Sequence, residues 1–119
     1  WANYGQAKLA NLLFARELAR RLPGGRHANA VHPGVIATSL TRSMHPLMRA
    51  AWAAAGPLML KTIAEGAATQ TWAAVSPGAA TINGEYLADC NITPSSRLGA
   101  DMQLAAQLWE ATEAIVARV

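Results

Sequence analysis

The chain has 119 residues, 52% of them hydrophobic and 14% charged, which is ample for the core of one ordinary domain and excludes a disordered tail. Ten basic residues against seven acidic leave a net charge of +3, so the high pI is a small imbalance. The arginines are scattered along predicted helices, which argues against nucleic acid and against a cationic membrane-surface helix. The single cysteine, Cys90, cannot staple a fold, and His27, His32 and His45 lack carboxylate or thiolate company, so no metal centre is expected. Nothing reads as a spanning helix or a leader, and a reducing, cytoplasmic interior is the expected compartment.

From Asn3 to about Leu22 the pattern is helical. Ala7, Ala10, Leu13, Phe14 and Leu18 form a broad apolar face, with Arg16, Glu17, Arg20 and Arg21 largely opposite, and Pro23-Gly24-Gly25 stops the helix. Tyr4 and Lys8 stand four residues apart, one turn along one face. A phenol is a poor proton shuttle near neutrality, but an ammonium one turn away and the partial positive charge of a helix start both favour its phenolate. The pair therefore suits acid/base work at an oxygen atom, although on spacing alone an amphipathic helix with a snorkelling amine is the commoner meaning.

Ala28 to His32 is short and mostly apolar, which suits a buried strand of a parallel sheet, and Pro33 ends it. Gly34 permits a turn that brings backbone close to a ligand, and Thr38 adds a hydroxyl; the plainer alternative is a strand-to-helix connection with Thr38 or Ser39 as its cap. In open α/β sheets ligands lie beyond the carboxyl ends of strands, which is where this turn falls.

Leu40 to Leu60 is a long connection with Met44, Met48, Trp52, Pro57 and Met59, suited equally to lining an apolar pocket and to filling a lid helix. Thr62-Ile63-Ala64-Glu65 is a capping-box pattern that opens a helix running to Ser76-Pro77-Gly78. Asn83-Gly84 makes a turn, and Glu85 to Asp89 reads as a second strand, parallel to the first because a helix joins them. Tyr86 is read there as a packing residue. Asn91-Ile92-Thr93 matches a glycosylation acceptor but lacks a secretory context and is discarded. From about Leu98 a last helix runs to Arg118, with Ala105, Leu108, Trp109, Thr112, Ile115 and Val116 on one side.

Two segments then carry a resemblance. Tyr4 to Asn11, reading Tyr-Gly-Gln-Ala-Lys-Leu-Ala-Asn, resembles the Tyr-x-x-x-Lys segment of the short-chain dehydrogenases/reductases. Val31 to Thr38, reading Val-His-Pro-Gly-Val-Ile-Ala-Thr, is similar to that family's Pro-Gly segment after its sixth strand. The late Gly84 to Cys90 is similar to the retinol-dehydrogenase-like branch and to the oxidoreductase domain of WW-domain-containing oxidoreductases. The resemblance implies an α/β fold, the C-terminal part of a Rossmann-type doubly wound parallel sheet. Two parallel strands with flanking helices are expected over residues 1–119, with the N-terminal βαβ units, the glycine-rich loop and the catalytic serine absent.

The same resemblance implies NAD(P)(H)-dependent hydride transfer between nicotinamide and an apolar alcohol/carbonyl substrate. Tyr4 would exchange the proton and Lys8 would hold the nicotinamide ribose. The backbone of Pro33, Gly34, Val35 and Ile36 would meet the nicotinamide, and Thr38 the pyrophosphate. NADP is favoured over NAD because many members of that branch use it, and a homo-oligomer is expected of the complete protein. The rival is a non-catalytic module that keeps the fold for nucleotide binding, oligomerisation or partner contacts. As a fragment, the 119 residues alone are expected to be inactive and poorly soluble, with one sheet edge unpaired.

Overall fold

The computed structural model describes residues 2–36 and 60–119. Its elements, in chain order, are α1 (Ala2–Arg21), β1 (Ala30–His32), α2 (Ile63–Val75), β2 (Tyr86–Ala88), β3 (Asn91–Ile92) and α3 (Met102–Val116), with a short 3-10 turn over Pro77–Ala79. The fold is α/β. The Met-rich connection, with His45, Thr38 and Ser39, lies outside the described residues apart from Leu60.

β1 and β2 pair in parallel, Ala30 opposite Tyr86 and His32 opposite Ala88, as expected from the helix between them. Two asparagine side chains stitch their entry ends. Asn29 donates to the Ile82 carbonyl and accepts from the Glu85 amide, while Asn83 accepts from the Ala28 amide and donates to the Ala19 carbonyl at the end of α1. Every one of these backbone groups would otherwise lack a ladder partner, so the two side chains fix the register.

The second strand is shorter than expected and turns back on itself. Asp89 and Cys90 have φ of 52° and 56°, and β3 returns antiparallel with Ile92 opposite Leu87 and Asn91 opposite Ala88. Two consecutive residues at positive φ are the signature of a type I′ hairpin, whose usual Asn-Gly or Asp-Gly wording is missing here. The hairpin is tied to α2 where the Cys90 amide donates to the Thr69 hydroxyl at 3.3 Å. Thr69 is almost wholly buried, and this contact accounts for a polar group in that position.

α2 starts as the capping box predicts: Glu65 N–H donates to the Thr62 hydroxyl, and the Glu65 carboxylate accepts from the Thr62 amide. Gly66, one turn in, is buried. A Cβ there would stand 2.3 Å from Cδ1 of Ile36, so the absence of a side chain lets Ile36 press onto the helix backbone. α3 is capped by Asp101, which accepts from the Gln103 and Leu104 amides. It packs along α1, where Phe14 and Trp109 stack with centroids 5.4 Å apart and the Arg21 guanidinium lies 4.8 Å from the Trp109 ring. Leu12, Leu13, Leu87 and Ala105 are among the buried core residues. Among the described residues no helix is long and apolar enough to cross a membrane.

α1 departs from the expected division of its faces. Glu17, assigned to the polar side, is buried with Leu13, because Arg20 and Arg21 reach back to its carboxylate at 2.9 and 2.8 Å. The arginine heads remain partly in water while the carboxylate is covered, so a polar residue is accommodated by pairing instead of by exposure. The hydrogen bond from Arg21, aided by the Arg20 charge, holds the Glu17 carboxyl below the ordinary glutamate range against the opposing effect of burial. A depressed folded-state value means stability that is present above the unfolded value and lost as pH falls through the folded one. Denaturant unfolding of the complete protein between neutral pH and pH ~3 should therefore show an acid-side loss that Glu17→Gln reduces. An identical acid limb in the variant would contradict the pairing.

Candidate functional site

The N-terminal turns of α1 bring Tyr4 and Lys8 together as their spacing requires, with the Lys8 ammonium 5.3 Å from the centre of the Tyr4 ring. Tyr4 is 61% exposed, so the phenol is open to a ligand. Both residues line a cleft of about 710 Å³ that runs between α1 and β1. Pro33 and Gly34, beyond the carboxyl end of β1, line the same cleft. Tyr4, Lys8 and the Pro33-Gly34 turn, separated by about thirty positions in sequence, thus share one concavity at the end of the strand where α/β sheets place ligands.

The turn itself requires its glycine. Gly34 has φ of 82°, and a Cβ there would stand 2.7 Å from Cδ and 2.9 Å from Cε of Lys61. Val35 is exposed and its carbonyl accepts from the Lys61 amide at 2.9 Å; Ile36 forms a parallel bridge with Lys61 and turns its side chain to Gly66. Of the expected cofactor-facing residues, Pro33 and Gly34 line the cleft, whereas Val35 and Ile36 are not among its lining and continue the backbone away from it. Thr38 lies outside the described residues.

Several lining residues were not predicted for a site. Tyr86, read as packing alone, stands in the cleft and stacks on His32 with ring centres 6.1 Å apart. The two are diagonal neighbours across the parallel register, a relation that no local sequence pattern states. Ser95 and Ser96, in the loop after β3, also line it. At the same end of the sheet the Lys61 ammonium pairs with the Asp89 carboxylate. Hydrogen bonding from Lys61, then its charge, holds the Asp89 carboxyl below the usual range, and the nearby His32 adds a smaller push.

No family model matches the chain. Among curated proteins it is 41% identical over 110 residues to short-chain dehydrogenase TIC 32 A, chloroplastic, of Brassica napus, which covers 90% of this chain and 34% of that protein. It is 39% identical over 121 residues to retinol dehydrogenase 14 of Mus musculus, covering 95% and 35%, and 40% identical over 107 residues to retinol dehydrogenase 12 of Homo sapiens, covering 89% and 33%. The chain belongs to the short-chain dehydrogenase/reductase family. It spans about a third of the length of the curated relatives it matches. For a family whose fold is Rossmann-type, the parallel β1–β2 pair with flanking helices is the matching piece of architecture.

The glycine of the turn gives a direct test of this geometry. Gly25 has nearly the same φ, 81°, but nothing within 4 Å of a would-be Cβ. Gly25→Ala should therefore cost only the left-handed backbone, on the order of 1–2 kcal/mol. Gly34→Ala should cost more, roughly 2–4 kcal/mol, because Lys61 must also move. Denaturant unfolding of both variants reads the difference, and a Gly34→Ala that costs no more than Gly25→Ala would contradict the close approach of Lys61.

Proposed function

We propose that the chain is the C-terminal part of an oxidoreductase that uses NAD(P)(H) to interconvert an alcohol and a carbonyl on an apolar small molecule. The observation that carries this reading is the shared cleft: a phenol with an ammonium over its ring faces a glycine turn at the carboxyl end of a parallel strand. Several of the relatives are named retinol dehydrogenases, and an apolar alcohol as the substrate class agrees with those names.

The residues fit a nicotinamide nucleotide. Pro33 and Gly34 line the cleft beyond β1, the Lys8 ammonium suits ribose hydroxyls, and the volume of the concavity accommodates a ring and its sugar. When bound, the dinucleotide supplies the hydride; the protein supplies position and the proton. Tyr4 holds the substrate oxygen by a hydrogen bond and gives its phenolic proton to that oxygen during carbonyl reduction, taking one back in the reverse direction. Lys8, whose ammonium lies over the Tyr4 ring, lends positive charge as negative charge develops on the Tyr4 oxygen. The Pro33-Gly34 turn would hold the nicotinamide ring of the bound dinucleotide.

In the complete protein Tyr4→Phe should lower carbonyl reduction by roughly a hundredfold or more, the ordinary contribution of a positioned acid/base, with NADPH and NADH affinity largely retained. Activity within a factor of a few of the wild type would remove Tyr4 from the proposed role.

A further inference from the structure

We propose that the Lys61–Asp89 ion pair is a latch that holds the Gly34 turn in its cleft-lining form, making Lys61 and Asp89 positioning residues for the nicotinamide end of a bound dinucleotide. The inference rests on the functional reading above and adds two residues to it. Neither touches the cleft; both act through the turn.

The latch closes a circuit of contacts. The aliphatic stem of Lys61 lies across Gly34 at distances that leave no room for a Cβ, so the stem is a lid over the back of the turn. The Lys61 amide holds the Val35 carbonyl, and the Ile36–Lys61 bridge extends that grip by one residue. From there the ammonium reaches Asp89, across 28 positions of sequence, at the opening residue of the hairpin turn after β2. The following residue, Cys90, is anchored through its amide to the buried Thr69 hydroxyl on α2. α2 in turn receives Ile36 at Gly66, which returns the circuit to the turn.

Because β1 and β2 run parallel, both turns emerge at one end of the sheet, and Lys61, packed on the first, braces it against the second by pairing with Asp89. The Asp89 side chain is 73% exposed, and exposed pairs contribute little to global stability. Its effect is therefore local: it narrows the conformations open to a glycine that would otherwise sample many, which lowers the ordering cost when a ligand seats against it.

Asp89→Asn is the mildest probe, since asparagine tolerates the left-handed backbone that Asp89 occupies. It is compared in the complete protein with Lys61→Met, the double variant and Lys61→Arg, using amide hydrogen exchange without nucleotide and fluorescence titration with NADPH and with NADH. Exchange at the Lys61 amide should quicken in the first three variants, and dinucleotide affinity should fall by roughly three- to tenfold. The double variant should be no worse than either single one, Lys61→Arg should keep most of the affinity, and the losses should shrink in ~1 M salt. Wild-type affinity in all variants, or quickened exchange with unchanged affinity, overturns the latch alone. A wild-type protein that binds neither dinucleotide overturns the functional reading and the latch with it.

Discussion

The parallel pairing of β1 on β2, with Ala30 opposite Tyr86, is the constraint on which the rest of the molecule depends. It sends Pro33-Gly34 and Asp89-Cys90 out at the same end of the sheet, sets His32 beside Tyr86, and leaves the cleft between β1 and α1. A register slip of one residue would turn every one of these side chains to the other face. The protection against such a slip is polar. Asn29 and Asn83 each make two hydrogen bonds to backbone, and Asn83 reaches the last turns of α1, so the helix bearing Tyr4 and Lys8 is referenced to the same strand ends.

Two glycines let the apolar and polar parts of the site approach one another. Gly66 admits Ile36 to the backbone of α2, and Gly34 admits the stem of Lys61. The Pro33–Ile36 segment is thereby gripped by packing on one side and by a backbone hydrogen bond and ion-paired lysine on the other. Such a turn is preorganised: it can seat a ligand without a large ordering cost. Tyr4, in contrast, stands exposed at the start of its helix, where a ligand can reach it.

Much of this was legible in the sequence, and what was not has identifiable causes. The i,i+4 spacing gave the Tyr4–Lys8 pairing, the Thr62 and Glu65 capping box gave the start of α2, and the Pro33-Gly34 wording gave the turn, because each is a local rule written in consecutive residues. The β3 hairpin is not legible in the local wording because its turn uses Asp89-Cys90 in place of the usual Asn-Gly or Asp-Gly. Helical periodicity sends Glu17 to the wet face because it registers polarity and does not see two arginines reaching back along the helix. Tyr86, His32 and the Lys61–Asp89 pair depend on strand register and on a 28-residue contact, neither of which is encoded by neighbouring residues.

The decisive measurement is a crystal structure of the complete protein with NADPH or NADH bound. The expected result is a nicotinamide ring against Pro33-Gly34, its ribose hydroxyls within about 3 Å of the Lys8 ammonium, and the Tyr4 hydroxyl facing the position of the substrate oxygen. A dinucleotide seated elsewhere, with the cleft between α1 and β1 filled by other parts of the protein, would contradict the assignment of that cleft as the reactive site.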